Sequence, residues 1–159
     1  MEHSGRDRFE RYLEDFHSGN TFIHWPGRTI TEATNASFCY WTMNKQPLHL
    51  DAEYARSAGF GQPLVNGLLV LSIAVGLSID GMSGAIIANL GYDQVAHDGP
   101  VFIGDTVYAE STVLDVRSSS SRLDRGIVHV ETRAKNQHGD RVLTFSRHFM
   151  VPTRERGAP

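Results

Sequence analysis

The fold of this chain is decided by an apolar stretch at residues 64–79, which reads LVNGLLVLSIAVGLSI. Asn66 is a favoured N-cap residue, and Pro63 immediately before the stretch suits a chain that is about to enter a helix. Gly81 and Gly84 follow the stretch and end it. Because 16 residues are short for a membrane span, the stretch predicts a buried helix.

Two shorter helices are predicted upstream of the apolar stretch. Thr31 offers an N-cap oxygen for a helix over residues 32–43, and Asp51 offers one for a short helix over residues 52–58. Between them, residues 44–50 contain a proline and should form a loop.

Downstream of the apolar stretch, the sequence becomes rich in β-branched and aromatic residues, which favour strands. Four strands are predicted, at residues 85–95, 105–117, 126–137 and 141–151. His138-Gly139-Asp140 should form the hairpin turn between the last two. Helical material followed by four strands indicates an α+β domain in which an antiparallel sheet wraps around the apolar helix.

The domain is expected to span residues 21–152, after a polar N-terminal arm at residues 1–20 and before a C-terminal tail at residues 153–159. Its first segment, residues 21–30, is interrupted by Trp25-Pro26-Gly27. A chain of 159 residues suits one domain that needs neither a disulfide nor a metal to hold its core.

Composition excludes several classes of protein. The net charge of −3 argues against a nucleic-acid binder, which usually carries a basic excess. The single cysteine, Cys39, fits a reducing compartment, and the polar start of the sequence shows no secretory signal, so we expect a cytoplasmic protein without a membrane anchor. No sequence motif of a metal, phosphate or dinucleotide site is present.

Three motifs lie along the chain in a fixed order. They read NKQPLHLD at residues 44–51, GQPLVNGLL at residues 61–69 and PVFIGDTV at residues 100–107. Together they resemble the MaoC-like (R)-specific enoyl-CoA hydratases, and the resemblance covers roughly residues 29–151. It implies a single hot-dog domain that acts on an acyl-CoA thioester, with no cofactor apart from the CoA of the substrate.

The resemblance also implies a catalytic site. In that family an Asp and a His five residues apart activate a water molecule, and Asn44 and His49 occupy these positions here. The backbone N–H at Gly67, in the first turn of the apolar helix, would hold the thioester oxygen. An imidazole can exchange protons near neutral pH, and unused N–H groups at a helix start bind negative charge.

This sequence departs from the family pattern at three positions. Asn44 replaces the catalytic Asp, Gln46 replaces an Asn, and Asn66 replaces the His before the helix glycine. Because an amide cannot take up a proton, our hypothesis is that Asn44 orients the water while His49 acts alone as base and then as acid. Asp51 and Glu53 could replace the missing carboxylate, although a capping role for Asp51 and a solvated position for Glu53 are the simpler interpretations.

Substrate and CoA contacts are predicted for motif residues Lys45, Gln46 and Asn66 and for three arginines beside the serine run at residues 118–121. These arginines are Arg117, Arg122 and Arg125. Arginine suits phosphate groups, but a solvated loop would explain the same residues. Lys45 or Arg28 could meet a substrate carboxylate, and an exposed Lys45 is the alternative.

The remaining histidines considered are assigned to the surface or to faces of the sheet. They are His24, His97, His129, His138 and His148. The predicted activity is reversible hydration of a 2-enoyl-CoA to an (R)-3-hydroxyacyl-CoA. The Asn44 and Asn66 variants resemble a subgroup of the family that acts on short branched or dicarboxylic thioesters such as mesaconyl-, itaconyl- or β-methylmalyl-CoA. One alternative is a non-catalytic subunit that binds acyl-CoA. A thioesterase is a weaker alternative, because the apolar helix has no carboxylate. The fold implies at least a homodimer formed between sheet edges.

Overall fold

A computed structural model describes residues 10–157 of the chain. The helices are α1 (Glu32–Trp41), α2 (Ala52–Ser57), α3 (Gly67–Leu77) and α4 (Arg154–Gly157). The strands are β1 (Thr21–Thr29), β2 (Ala88–His97), β3 (Thr106–Ser118), β4 (Arg125–Lys135) and β5 (Arg141–Pro152).

The strands form one sheet in the order β1-β3-β4-β5-β2, and each neighbouring pair is antiparallel. The predicted α+β architecture is confirmed. The predicted hairpin between β4 and β5 is also confirmed: Asn136 and Asp140 close it through a 3.0 Å backbone hydrogen bond, and Gly139 adopts a φ of 86°. Glycine adopts this left-handed conformation without steric cost.

The four strands predicted after the apolar helix are confirmed as β2 to β5, but residues 21–29 form a fifth strand that the sequence analysis did not predict. β1 lies at the edge of the sheet and pairs with β3, and its register shifts between His24 and Arg28. An edge strand tolerates Pro26, since a missing N–H on the outer side costs no ladder bond. Because of this register shift, the interruption in the sequence is a bulge within a strand. A side chain at Gly27 would come within 2.5 Å of the Tyr108 ring.

The predicted caps of all three longer helices are confirmed. Thr31 Oγ1 accepts from Thr34 N–H at 3.2 Å, Asp51 Oδ1 accepts from two backbone N–H groups at the start of α2, and Asn66 Oδ1 accepts from Leu68 N–H at 2.9 Å. Glu53, in the first turn of α2, is exposed. These caps fix where each helix begins, and therefore where the loop 44–50 and the start of α3 meet.

Helix α3 packs its apolar side chains against one face of the sheet. Leu69, Val70 and Ala74 are buried and share a core cluster with residues of β3, β4 and β5, including Val107 and Phe145. Burial of each large side chain contributes roughly 1.5–3 kcal/mol. Within residues 10–157, no helix is long and apolar enough to cross a membrane.

The expected polar arm contributes to a second core cluster. Leu13 and Phe16 are buried against Val128, Phe149 and Val151 at the far ends of β4 and β5. This part of the arm therefore packs onto the sheet rather than extending from it. Residues 1–9 of the arm and residues 158–159 of the tail lie outside the described residues.

Candidate active site

A pocket of about 610 Å³ lies at the N-terminal end of α3. Its walls come from the loop after α1, the start of α3, the end of β2 and the start of β5. The lining residues are Asn44, His49, Phe60, Leu64, Val65, Asn66, Gly67, Leu68, Val70, His97, Gly99, Pro100, Val101 and Val142. Four residues singled out in the sequence, Asn44, His49, Asn66 and Gly67, are thus brought together.

The loop after α1 holds its shape through its own amide side chains. Asn44 Oδ1 accepts from Gln46 N–H at 3.1 Å, and Gln46 Oε1 accepts from Leu48 N–H at 3.0 Å. Gln46 thereby caps the short 3-10 turn Pro47–His49. The turn directs His49 into the pocket, whereas the exposed Lys45 and Gln46 do not line it.

The orientation of His49 fixes which ring nitrogen is free. Its Nδ1 lies 3.0 Å from the carbonyl oxygen of Leu64. Because a carbonyl can only accept, Nδ1 carries the proton and Nε2 keeps its lone pair when the imidazole is neutral. Nε2 is therefore available to take a proton from a molecule in the pocket.

Asn35 on α1 joins the loop to the start of α3, a role that no pattern in the sequence indicates. Its side chain is 1% exposed; Nδ2 donates to the carbonyl of His49 at 3.1 Å, and Oδ1 accepts from Asn66 N–H at 2.9 Å. A buried amide that uses both ends in this way holds two backbone segments at a fixed separation. An Asn within a helix resembles any exposed helix residue in sequence, so only tertiary structure distinguishes it.

The start of α3 presents a hydrogen-bond donor to the pocket. Asn66 is buried, accepts from Leu68 N–H and donates to Cys39 Sγ at 3.7 Å. Gly67 is the first residue of the helix, so the helix itself provides no acceptor for its N–H. None of the described residues accepts from it, which leaves the N–H available to an oxygen atom in the pocket.

His97 at the end of β2 is exposed, as the sequence analysis expected, and it also lines the pocket. A methyl group added at Gly67 would lie 2.6 Å from its Cε1 and 3.0 Å from each ring nitrogen. The imidazole therefore occupies the space that the missing Gly67 side chain leaves. His49 and His97 are the two ionisable side chains among the lining residues in the described part of the chain.

The three arginines proposed for CoA lie at the other end of the sheet. Arg125 pairs with Pro152 at the end of β5, whereas the pocket residue Val142 lies ten positions earlier, roughly 33 Å along the strand. Arg125 donates to both carboxylate oxygens of Asp124, and this lowers the pKa of Asp124 to about 2. Within one protomer Arg117, Arg122 and Arg125 are thus remote from the pocket, and their CoA contacts stay a prediction.

Comparison with known proteins matches a family model, the MaoC like domain, to residues 15–136. The chain is 34% identical over 149 residues to a mesaconyl-CoA hydratase of Cereibacter sphaeroides, which covers 94% of this chain and 43% of that protein. It is 33% identical over 109 residues to an (R)-specific enoyl-CoA hydratase of Aeromonas caviae. The match covers 69% of this chain and 77% of that protein.

Solved structures share the architecture. A Mycobacterium tuberculosis protein described as having a double hotdog fold superposes with a TM-score of 0.83 at 26% identity, covering 94% of this chain and 46% of that one. The predicted hot-dog fold is confirmed. The chain spans less than half the length of the mesaconyl-CoA hydratases that it matches.

Proposed function

Since the chain belongs to the MaoC-like domain family, we propose that its pocket catalyses the reversible addition of water to a 2-enoyl-CoA, giving an (R)-3-hydroxyacyl-CoA. One observation carries the proposal: a half-buried His49 with Nε2 free and an unused N–H at Gly67 line the same pocket. The first group can move a proton, and the second can accept developing negative charge.

The residues present support a mechanism with a single base. His49 Nε2 takes a proton from water as the water oxygen bonds to C3 of the substrate. The electrons of the double bond move towards the thioester oxygen, where the Gly67 N–H donates a hydrogen bond. The imidazolium of His49 then returns its proton to C2, which restores the carbonyl and leaves the base ready again. No cofactor is needed for this sequence of steps.

Asn44 would position the water in this scheme. Its Oδ1 is engaged by Gln46 N–H, so the Nδ2 hydrogens remain to donate to a water oxygen in the pocket. An amide does not titrate near neutral pH, so of Asn44 and His49 only His49 can transfer protons. Asp51 and Glu53 are not among the residues that line the pocket, and Asp51 Oδ1 caps α2, so neither replaces the missing carboxylate in this scheme.

For the acyl group we propose a short branched or dicarboxylic chain. The support is similarity to the mesaconyl-CoA hydratase and to a β-methylmalyl-CoA dehydratase of Chloroflexus aurantiacus, which is 32% identical over 148 residues. The pocket is mainly apolar and has room for a small acyl group beside the thioester.

A second candidate function is supported by Asn44 itself. Without the family carboxylate, the chain would bind acyl-CoA without turnover, as a non-catalytic partner of an active homologue. A thioesterase remains a weaker alternative, since α3 has no carboxylate to activate water.

For the assembly we propose a homodimer that forms through β2. This strand lies at the edge of the sheet, and Ile87, Leu90, Tyr92 and Val95 in and beside it are 40–47% exposed. A second copy of the chain would cover this apolar edge. Light scattering after size-exclusion chromatography should give twice the 17.7 kDa mass of the chain, and a monomer would contradict the proposal.

A cytoplasmic location stays a prediction.

The experiment that tests the function offers crotonyl-, mesaconyl- and itaconyl-CoA to the wild type and to His49→Ala. Double-bond loss and thiol release are followed together. We expect water addition in the wild type and a loss of about 10²–10⁴-fold in the variant, since one general base supplies both proton steps. His17→Ala, an exposed histidine outside the pocket, is the matched control. Binding of these esters without loss of the double bond would favour the binding subunit, and thiol release would favour a thioesterase.

A further inference from the structure

His97 lies against the first residue of α3. Its ring nitrogens would lie 3.0 Å from a methyl group at Gly67, which places them beside the residue whose N–H is free for the thioester oxygen. Any other residue at position 67 would push the imidazole away. The absence of a side chain at Gly67 and the presence of a ring at His97 are therefore two parts of one arrangement.

The backbone around His97 is fixed on the side of β5. His97 pairs with Leu143, and the next residue, Asp98, donates its N–H to the Val142 carbonyl at 3.0 Å. The Asp98 carboxylate accepts from Thr144 Oγ1 at 2.6 Å and pairs with Arg141 at 3.4 Å. The backbone at the end of β2 is thus anchored, and the exposed imidazole of His97 lines the pocket beside Gly67.

The ring itself has no hydrogen-bond partner among the described residues. The neighbouring carboxylate of Asp98 is used by Thr144 and Arg141, so it does not hold the imidazole. A neutral imidazole always has one N–H to donate. Since no described residue accepts this hydrogen bond, the His97 N–H is available to a ligand in the pocket.

A donor at this place would suit the proposed reaction. When water adds to C3, negative charge develops on the thioester oxygen, and one backbone N–H at Gly67 would meet it. Sites that stabilise an oxyanion commonly use more than one donor. We propose that His97 donates the second hydrogen bond to the thioester oxygen, beside the Gly67 N–H. This inference rests on the hydratase function proposed above.

A pair of substitutions separates hydrogen bonding from packing. His97→Gln keeps an N–H donor of similar reach, whereas His97→Leu fills the space without one. We expect the leucine variant to lose about 30–300-fold in kcat with crotonyl-CoA and with mesaconyl-CoA, and the glutamine variant to recover most of that loss. Thermal unfolding shows whether both variants fold, and His17→Leu is the control outside the pocket.

Binding of butyryl-CoA provides a second measurement. This saturated thioester occupies the site but cannot accept water, so no oxyanion forms. We expect its Kd to be unchanged in both His97 variants, because the second hydrogen bond strengthens as charge develops.

Four outcomes would overturn the inference. His97→Leu could keep the kcat of the wild type, or both variants could lose kcat equally, which would mean that the ring only packs. The loss could be confined to mesaconyl-CoA, which would place His97 at the distal carboxylate, or Kd for butyryl-CoA could weaken as much as kcat/KM falls. Failure of the wild type to hydrate either ester would remove the proposed function itself, and this result is distinct from the other four.

Discussion

The two ends of α3 lie in opposite surroundings. At its start, the free N–H of Gly67 faces a pocket with two imidazoles. At its end, the guanidinium of Arg147 is 1% exposed and donates from Nη2 to Ser78 Oγ at 2.7 Å and to Ser83 Oγ at 2.9 Å. A helix carries partial positive charge at its start and partial negative charge at its end.

Two serine hydroxyls connect the arginine to the end of the helix. Ser78 Oγ donates to the Val75 carbonyl at 2.6 Å, and Ser83 Oγ donates to the Ser78 carbonyl at 3.0 Å. Burial lowers the pKa of Arg147, but a guanidinium stays charged at neutral pH. The positive charge of Arg147 therefore reaches the last carbonyls through a short chain of hydrogen bonds.

The difference shows how the fold uses one helix for two purposes. The negative end of the dipole is balanced inside the protein by a cation, so it contributes to stability. The positive end has no anion among the described residues and opens into the pocket, so it can stabilise negative charge on a ligand. This distribution suits a site where negative charge appears only during the reaction.

Loss of Arg147 should have the largest effect on stability. Arg147→Ala removes a large buried side chain and its two hydrogen bonds, and we expect the free energy of unfolding to fall by about 3–5 kcal/mol. Arg147→Met keeps most of the volume, so its cost should be about 1 kcal/mol, since removal of a buried charge offsets the lost bonds. Urea denaturation measures both. Turnover by the folded protein should be unchanged, and a large loss of turnover would show that the two ends are not independent.

A side chain that fills the space at Gly67, at the start of α3, should lower activity rather than stability. A methyl group at Gly67 would collide with His97, so Gly67→Ala should lower kcat about 100-fold while the free energy of unfolding changes by less than about 1 kcal/mol. Gly76→Ala is the matched control, because a methyl group there meets no atom within 4 Å. Equal activity of the two variants would refute the role of the space at Gly67.

A buried histidine near the charged end makes stability depend on pH. Burial first, and then the charge of Arg147, lower the pKa of His24 from 6.5 to about 4. Below pH 6.5 the unfolded chain therefore binds a proton that the folded protein does not, so stability is lost as pH falls from 6.5 towards 4. His24 Nε2 lies 2.8 Å from Ser111 Oγ, a contact that His24→Gln can keep in part.

Between pH 7.5 and pH 5, His24 should account for about 2 kcal/mol of lost stability. Urea denaturation at both pH values measures this as the difference between the wild type and His24→Gln, which removes the contributions of all other groups. An identical pH dependence in the two proteins would show that His24 titrates in the folded state as it does in the unfolded chain.

Sequence alone predicted what depends on local pattern. The cap at Asn66 gave the start of α3 correctly, and the motif around His49 placed the loop that lines the pocket. The contact of His97 with Gly67 depends on where β2 ends beside α3, and local sequence does not contain that information. Arg147 lies between Ser146 and His148 in a strand pattern, so its burial beneath the end of α3 follows only from the tertiary fold.

The smallest expected effect is that of a substitution at Asn66, the N-cap residue of α3. Asn66→Ala removes the side-chain acceptor for Leu68 N–H, and we expect the free energy of unfolding to fall by about 1 kcal/mol. Because the cap also holds the first turn in place, the direction of the Gly67 N–H should become less fixed, and kcat should fall with it. Asn66→Ser keeps a capping oxygen, so it should restore both the stability and most of the turnover. If Asn66→Ser restored stability but left kcat as low as in Asn66→Ala, the amide of Asn66 would act on the substrate directly rather than through the helix.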